Sequence, residues 1–247
     1  MKLSWKLLIL GLAVTIFGLI TVRFSNPQDV GQAVAERPDE APAKLFLNEH
    51  ILAIVGTYPL DGRFRTLPTS EMASNYGVTR DIYYAGSLRM TGDKQLRSYC
   101  SGIVIEVYLA ALEKSWRLST GNRSAFLVPE IPSTEFKQFR RDFYGTDGNR
   151  KTFVRALVDR QLGEEINGLG QAQPGDLVQY WRHTGTGHAG ILIDVRFSLD
   201  GNPESIMAWS SQKSTSGVGY LTEQIGNSGR SIDANQVYIV RARASRE

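Results

Sequence analysis

The lone cysteine of this chain, Cys100, and the histidine at position 188 are the two side chains best suited to nucleophilic chemistry. Cys100 is followed by Ser101 and Gly102, and then by apolar residues at Ile103, Val104, Val107, Tyr108, Ala111 and Leu112. That i, i+1, i+4, i+5 spacing predicts an amphipathic helix over residues 100–114, with Ser98 as its cap. A sulfur at the start of such a helix meets unsatisfied N–H groups and the positive end of the dipole, both of which favour the thiolate. Arg97, three residues earlier, would add positive charge. An inert buried cysteine is the commoner state of a lone cysteine, and helix position alone does not overturn that reading.

A nucleophilic thiol needs a base within hydrogen-bond reach, carried on something rigid. His188 follows the small-residue turn Thr184-Gly185-Thr186-Gly187 and opens an extended run, and Ala189-Gly190 beside it leave room for a backbone or a substrate to approach. His50 falls on a predicted helix and His183 in a turn, and both read as solvated or packing residues.

The elements that must position the pair follow from periodicity. Leu45, Leu47, Ile51, Leu52, Ile54 and Val55 predict a first helix over 44–56, ended by Gly56 and the Pro59 turn. A short extended piece is expected at 81–85, and helices at 133–144 and 150–162, the former with Phe136, Phe139 and Phe143 on one core-facing stripe. After Pro174-Gly175-Asp176 the character changes. Short runs rich in β-branched and aromatic residues lie at 177–181, 188–195, 205–211 and 236–242, with Leu199-Asp200-Gly201-Asn202 as a hairpin turn. Helices followed by an antiparallel meander make an α+β domain.

Three segments, in order, carry a resemblance: Tyr99-Cys100-Ser101-Gly102-Ile103-Val104, Pro174-Gly175-Asp176-Leu177-Val178 and Gly187-His188-Ala189-Gly190-Ile191. Over residues 95–215 the chain resembles the NlpC-type papain-like cysteine peptidases, with a longer Cys-to-His spacing that suggests an inserted Phe-rich helix. The resemblance implies a papain-like fold, Cys100 as nucleophile, His188 as base, and a third polar residue on the next strand to orient the imidazole. Gln212 is the candidate for that third position, with Ser210 as runner-up; a solvated polar strand end is the plain alternative. It further implies a thioester intermediate, a backbone N–H of Cys100 in the oxyanion site, and peptidoglycan stem peptides as the usual substrate. Tyr99 and Ser101 flank the nucleophile as candidate substrate contacts. Trp181, Trp209 and Tyr220, near the motif strands, would either wall a groove or pack in the core. The rival readings are a catalytically inactive wall-binding or scaffolding module on the same fold, a lipid-directed acyltransferase relative, and chance similarity. In the acyltransferase relatives the histidine precedes the cysteine, the reverse of the order here.

The first residues set the compartment. Lys2 and Lys6 precede an apolar run at 7–22, the pattern of an export signal, and small residues suited to cleavage do not follow it. An uncleaved signal anchor over 1–22 is therefore favoured over a cleaved peptide, although a run of about 16 residues is short for a span. Residues 23–43, with Pro27, Pro38 and Pro42 among polar residues, read as a flexible linker, leaving 44–247 as the hydrolase domain facing the periplasm or cell exterior. Basic residues exceed acidic ones by 28 to 25 and lie scattered among them, which does not argue for nucleic acid. No residue pattern implies a metal or a nucleotide, so no cofactor is expected. An amide-bearing envelope substrate and the membrane, through 7–22, are the expected partners.

Overall fold

The computed structural model describes residues 45–121, 125–145 and 150–246. Four helices, α1 (Asn48–Val55), α2 (Cys100–Thr120), α3 (Phe136–Tyr144) and α4 (Thr152–Val158), accompany ten strands among them. The strands are β1 (Arg65–Thr66), β2 (Ile82–Tyr84), β3 (Ser87–Met90), β4 (Arg97–Ser98), β5 (Gly163–Ile166), β6 (Leu177–Arg182), β7 (Gly187–Phe197), β8 (Pro203–Gln212), β9 (Gly217–Gln224) and β10 (Ile232–Ala242). Eight of them form one sheet in the order β4-β1-β9-β8-β7-β6-β10-β5, antiparallel except where β1 meets β4, while β2 and β3 make a separate hairpin. The α+β class is therefore as the pattern predicts. The proposed signal anchor at 1–22 and linker at 23–43 lie outside the described residues, and among the described residues no helix is long and apolar enough to cross a membrane.

The sheet is apolar on both faces. Leu177, Ile191, Trp209 and Val240 join the helices in the larger core, while their neighbours Val178, Leu192, Ala208 and Ile239 form a second cluster with Ile166 and Leu169. Successive strand residues point to opposite faces, so burial on both explains why these strands read as nearly continuous hydrophobic runs. Helix α2 packs on β7 and β8, and α1 packs on α2, which fixes the axis that carries Cys100. Phe136, Phe139 and Phe143 are buried, and the Phe139 and Phe143 rings lie 6.2 and 5.7 Å from Tyr108 of α2.

Several expected boundaries move, for identifiable reasons. Helix α1 starts at Asn48 rather than 44, because 45–47 is tied to the end of β10 by Leu47 N–H to Ala242 O (2.9 Å) and Ala244 N–H to Leu45 O (2.9 Å). Helix α2 runs six residues beyond the expected 114, to Thr120, and Gly121 ends it in a left-handed conformation. Helix α4 stops at Val158 and residues 163–166 become β5, paired with β10. The meander is real for β6, β7, β8 and β9, with the turn at 199–202 closed by Ser198 N–H to Asn202 O (2.8 Å). Strand β10 does not continue it. It returns to pair with β6 on the far side, and β1 and β4 extend the other edge.

Candidate active site

Cys100 is the first residue of α2, and the helix begins without a side-chain cap. Tyr99, not Ser98, is the capping position: its carbonyl accepts the first helical bond from Ile103 N–H (3.0 Å), while Ser98 lies in β4 with its hydroxyl buried and without a partner among the described residues. The N–H groups of the first turn are thus not consumed by a side-chain oxygen. Gly102 is required by packing. A Cβ there would stand 2.2 Å from the carbonyl oxygen of Gly77, so the Tyr76-Gly77 turn can close over the helix start only because position 102 is bare. Six residues beyond the cysteine, buried Glu106 pins the same loop, accepting from the Tyr58 hydroxyl (2.6 Å), Thr79 N–H (2.6 Å) and the Thr79 hydroxyl (2.8 Å).

His188 stands at the start of β7 and is 7% exposed. Its ring lies within hydrogen-bonding range of the half-buried Cys100 sulfur, which also meets the N–H groups of Ala189 and Ser101. Burial alone pushes the thiol pKa up. The hydrogen bond and charge of His188, with those two N–H groups, outweigh burial and hold it below the ordinary thiol value. Arg97 takes no part: its guanidinium is bound by Asp93 (2.9 Å) and Glu71 (2.8 Å), and those carboxylates neutralise the charge the sequence seemed to offer.

The remaining predicted residues divide. Extending the Ile191↔Trp209 register along β7 and β8 brings Gln212 level with His188, yet no hydrogen bond joins them, and Nε2 of each is buried without a partner among the described residues. Ser210 is fully buried and its hydroxyl donates to the carbonyl of Ala189 (2.6 Å), so it fastens β8 to β7 beside the site and does not orient the ring. Trp209 does not wall a groove. It is 0% exposed, its ring 5.2 Å from that of Tyr58 and inclined to it by 56° in the core, because its position on β8 points under α2. Tyr220, level with Trp209 on β9, is 45% exposed. The room left by Gly190 is taken by β8, whose Ala208 Cβ would lie 3.0 Å from an added Cβ, and not by a substrate. Trp181 is half-buried beside Gly187, with the Arg150 guanidinium 5.4 Å over its ring. Tyr99 and Ser101 flank Cys100 in the chain, Tyr99 half-buried and Ser101 buried at 9% exposure. His183 bonds the Gly226 carbonyl (2.8 Å), and His50 sits half-buried on α1.

Sequence reasoning missed one group. Tyr180, level with His188 on the neighbouring strand, sets its ring 5.6 Å from the imidazole in a T-shaped contact. The Tyr180 hydroxyl donates to Glu223 (2.6 Å), which Arg182 grips through Nε and a terminal nitrogen, each at 2.6 Å. The imidazole is thereby backed by an aromatic ring that is itself locked. The alternation of Tyr180 and Arg182 on one strand face was visible, but their partner Glu223 lies on β9, at a distance in sequence that no local pattern spans. The chain matches no family model, and it matches no curated protein.

Proposed function

We propose that this chain is an exported cysteine hydrolase with a papain-like, NlpC-type arrangement, cleaving an amide bond in the cell envelope, with peptidoglycan stem peptides as the substrate. One observation carries the reading: the Cys100 sulfur sits at the uncapped start of α2 within hydrogen-bonding range of His188. In the reaction, His188 accepts the thiol proton as the sulfur attacks the carbonyl carbon. The oxygen that gains charge lies against the first-turn N–H groups, Cys100 among them. The tetrahedral adduct collapses to a thioester as the imidazolium protonates the departing amine. Water, deprotonated by His188, then attacks the thioester, and the acid and the free thiol are regenerated. Export rests on the basic and apolar pattern of residues 1–22, and the wall substrate on the family resemblance.

The test is digestion of purified muropeptides by the full chain, read by mass spectrometry. A new amine and acid pair should appear with the native protein and be reduced by about 100-fold or more in Cys100→Ala and in His188→Ala. A second reading, a wall-binding module on the same fold, is favoured by the unpartnered Nε2 of His188, since no third residue orients the ring by a hydrogen bond. That reading predicts retention of the chain on insoluble peptidoglycan without any cleavage, unchanged in Cys100→Ala.

A further inference from the structure

We infer that the cavity beside Tyr99 is a subsite for a carboxylate carried by the substrate, with Arg140 as the residue that recognises it; the inference rests on the reading of Cys100 as nucleophile. The cavity holds about 450 Å³ and is lined by the 72–76 turn, Tyr99 and the end of α3, including Arg140, Arg141 and Tyr144. Tyr99, one of the cavity walls, is the peptide neighbour of Cys100.

Arg140 is the unusual element. Its half-buried guanidinium lies 4.6 Å over the Tyr76 ring and has no carboxylate partner among the described residues. A guanidinium stacks by its face and hydrogen-bonds by its edge, so an aromatic seat orients the fork while leaving its donors for a ligand. The larger cavity elsewhere, about 640 Å³, differs in this respect: its two arginines, Arg80 and Arg117, are matched by Glu106 and Glu113. The walls around Arg140 are fixed. The Tyr144 hydroxyl donates to the Tyr76 carbonyl (2.6 Å), the Tyr99 hydroxyl to the Asn75 carbonyl (3.3 Å), and the Tyr99 and Tyr144 rings meet edge-on at 5.9 Å. Both hydroxyls donate to backbone, and of the two arginines in the lining Arg140 is the one held on an aromatic seat. The planar guanidinium fork of Arg140 fits the two oxygens of a carboxylate. Arg140 and Tyr144 are four residues apart on α3, so one helix face supplies both the charge and a wall.

Two measurements on the full chain test this. First, Cys100 is alkylated with N-bromoacetylglycine and with its neutral amide, bromide being displaced by the thiolate in each case. The anionic probe should react several-fold faster with the native protein; the ratio should fall to about 1 in Arg140→Gln and be intermediate in Arg140→Lys, which keeps charge but loses the fork. Second, titration calorimetry with N-acetylglycine, which cannot react, should show saturable binding that Arg140→Gln abolishes, and weaker binding of phenyl phosphate. No binding of N-acetylglycine, or a rate ratio insensitive to Arg140, overturns the subsite, and tighter binding of phenyl phosphate overturns the carboxylate assignment. Arg140-dependent binding with a thiol no faster than free cysteine toward either probe would sustain the subsite and sink the nucleophile reading.

Discussion

Asp176 and His188 are both buried polar residues within the segments that carry the family resemblance, yet the structure treats them in opposite ways. Every oxygen of the Asp176 carboxylate is engaged: Asn48 and Arg241 donate to one, Gln173 N–H and Arg241 to the other, all within 3.0 Å. It ties the start of β6 to α1 and β10. His188 favours the Cys100 thiolate, and its Nε2 is buried without a partner among the described residues. A saturated buried charge is a fastener, because nothing remains for a ligand to bind. An imidazole with unspent capacity beside a thiol is available for chemistry under the proposed reading, and its surroundings position it by packing.

The comparison can be broken by exchanging the consequences. Asp176→Ala leaves the Arg241 guanidinium, 12% exposed, without its carboxylate and should cost about 3–5 kcal/mol in urea denaturation. Cys100 of the fraction still folded should alkylate at the native rate. A large loss of thiol reactivity without loss of stability would erase the distinction. Tyr180→Phe sharpens it more gently. The ring that backs His188 remains, but Glu223 loses a 2.6 Å donor, and a cost of about 1–2 kcal/mol is expected from thermal melts, with a modest drop in alkylation rate. If reactivity falls as far as in His188→Ala, the locked ring matters more than its packing contact suggests.

The smallest effect concerns Arg97. Its hydrogen bonds to Asp93, aided by the Arg97 and Gln95 backbone N–H groups, lower that carboxyl from 3.8 to about 2. A carboxyl depressed on folding contributes stability that is complete above its unfolded value and is lost as pH falls through the folded one. Melting temperature should therefore decline between about pH 4 and about pH 2, and Asp93→Asn should lack that portion of the decline. The thiol titration should be unmoved by Arg97→Gln, since the arginine's charge is already balanced.

What was legible in the sequence was local. The amphipathic run behind Cys100, the Phe stripe of α3 and the turn at 199–202 each state their structure within a dozen residues, and each formed. The two-residue strands β1 and β4 and the return of β10 to β6 depend on partners far along the chain, so no periodicity announces them. Trp209 illustrates the same limit at the site. An aromatic residue on a strand next to a motif suits a groove or a core equally well, and only the packing of α2 on β8 decides for the core. Arg97 failed as an electrostatic helper for a related reason: the acids that cancel it, Asp93 and Glu71, are brought in by a turn and a short 3-10 helix.

The most direct measurement is the pH dependence of Cys100 alkylation by iodoacetamide, in the native protein and in His188→Ala. If His188 holds the thiolate, the native inflection lies below the ordinary thiol value of 9.0, so labelling persists toward neutral pH, and the substitution moves the inflection upward and slows labelling there. Identical curves for the two proteins, both inflecting at or above that value, would contradict the account.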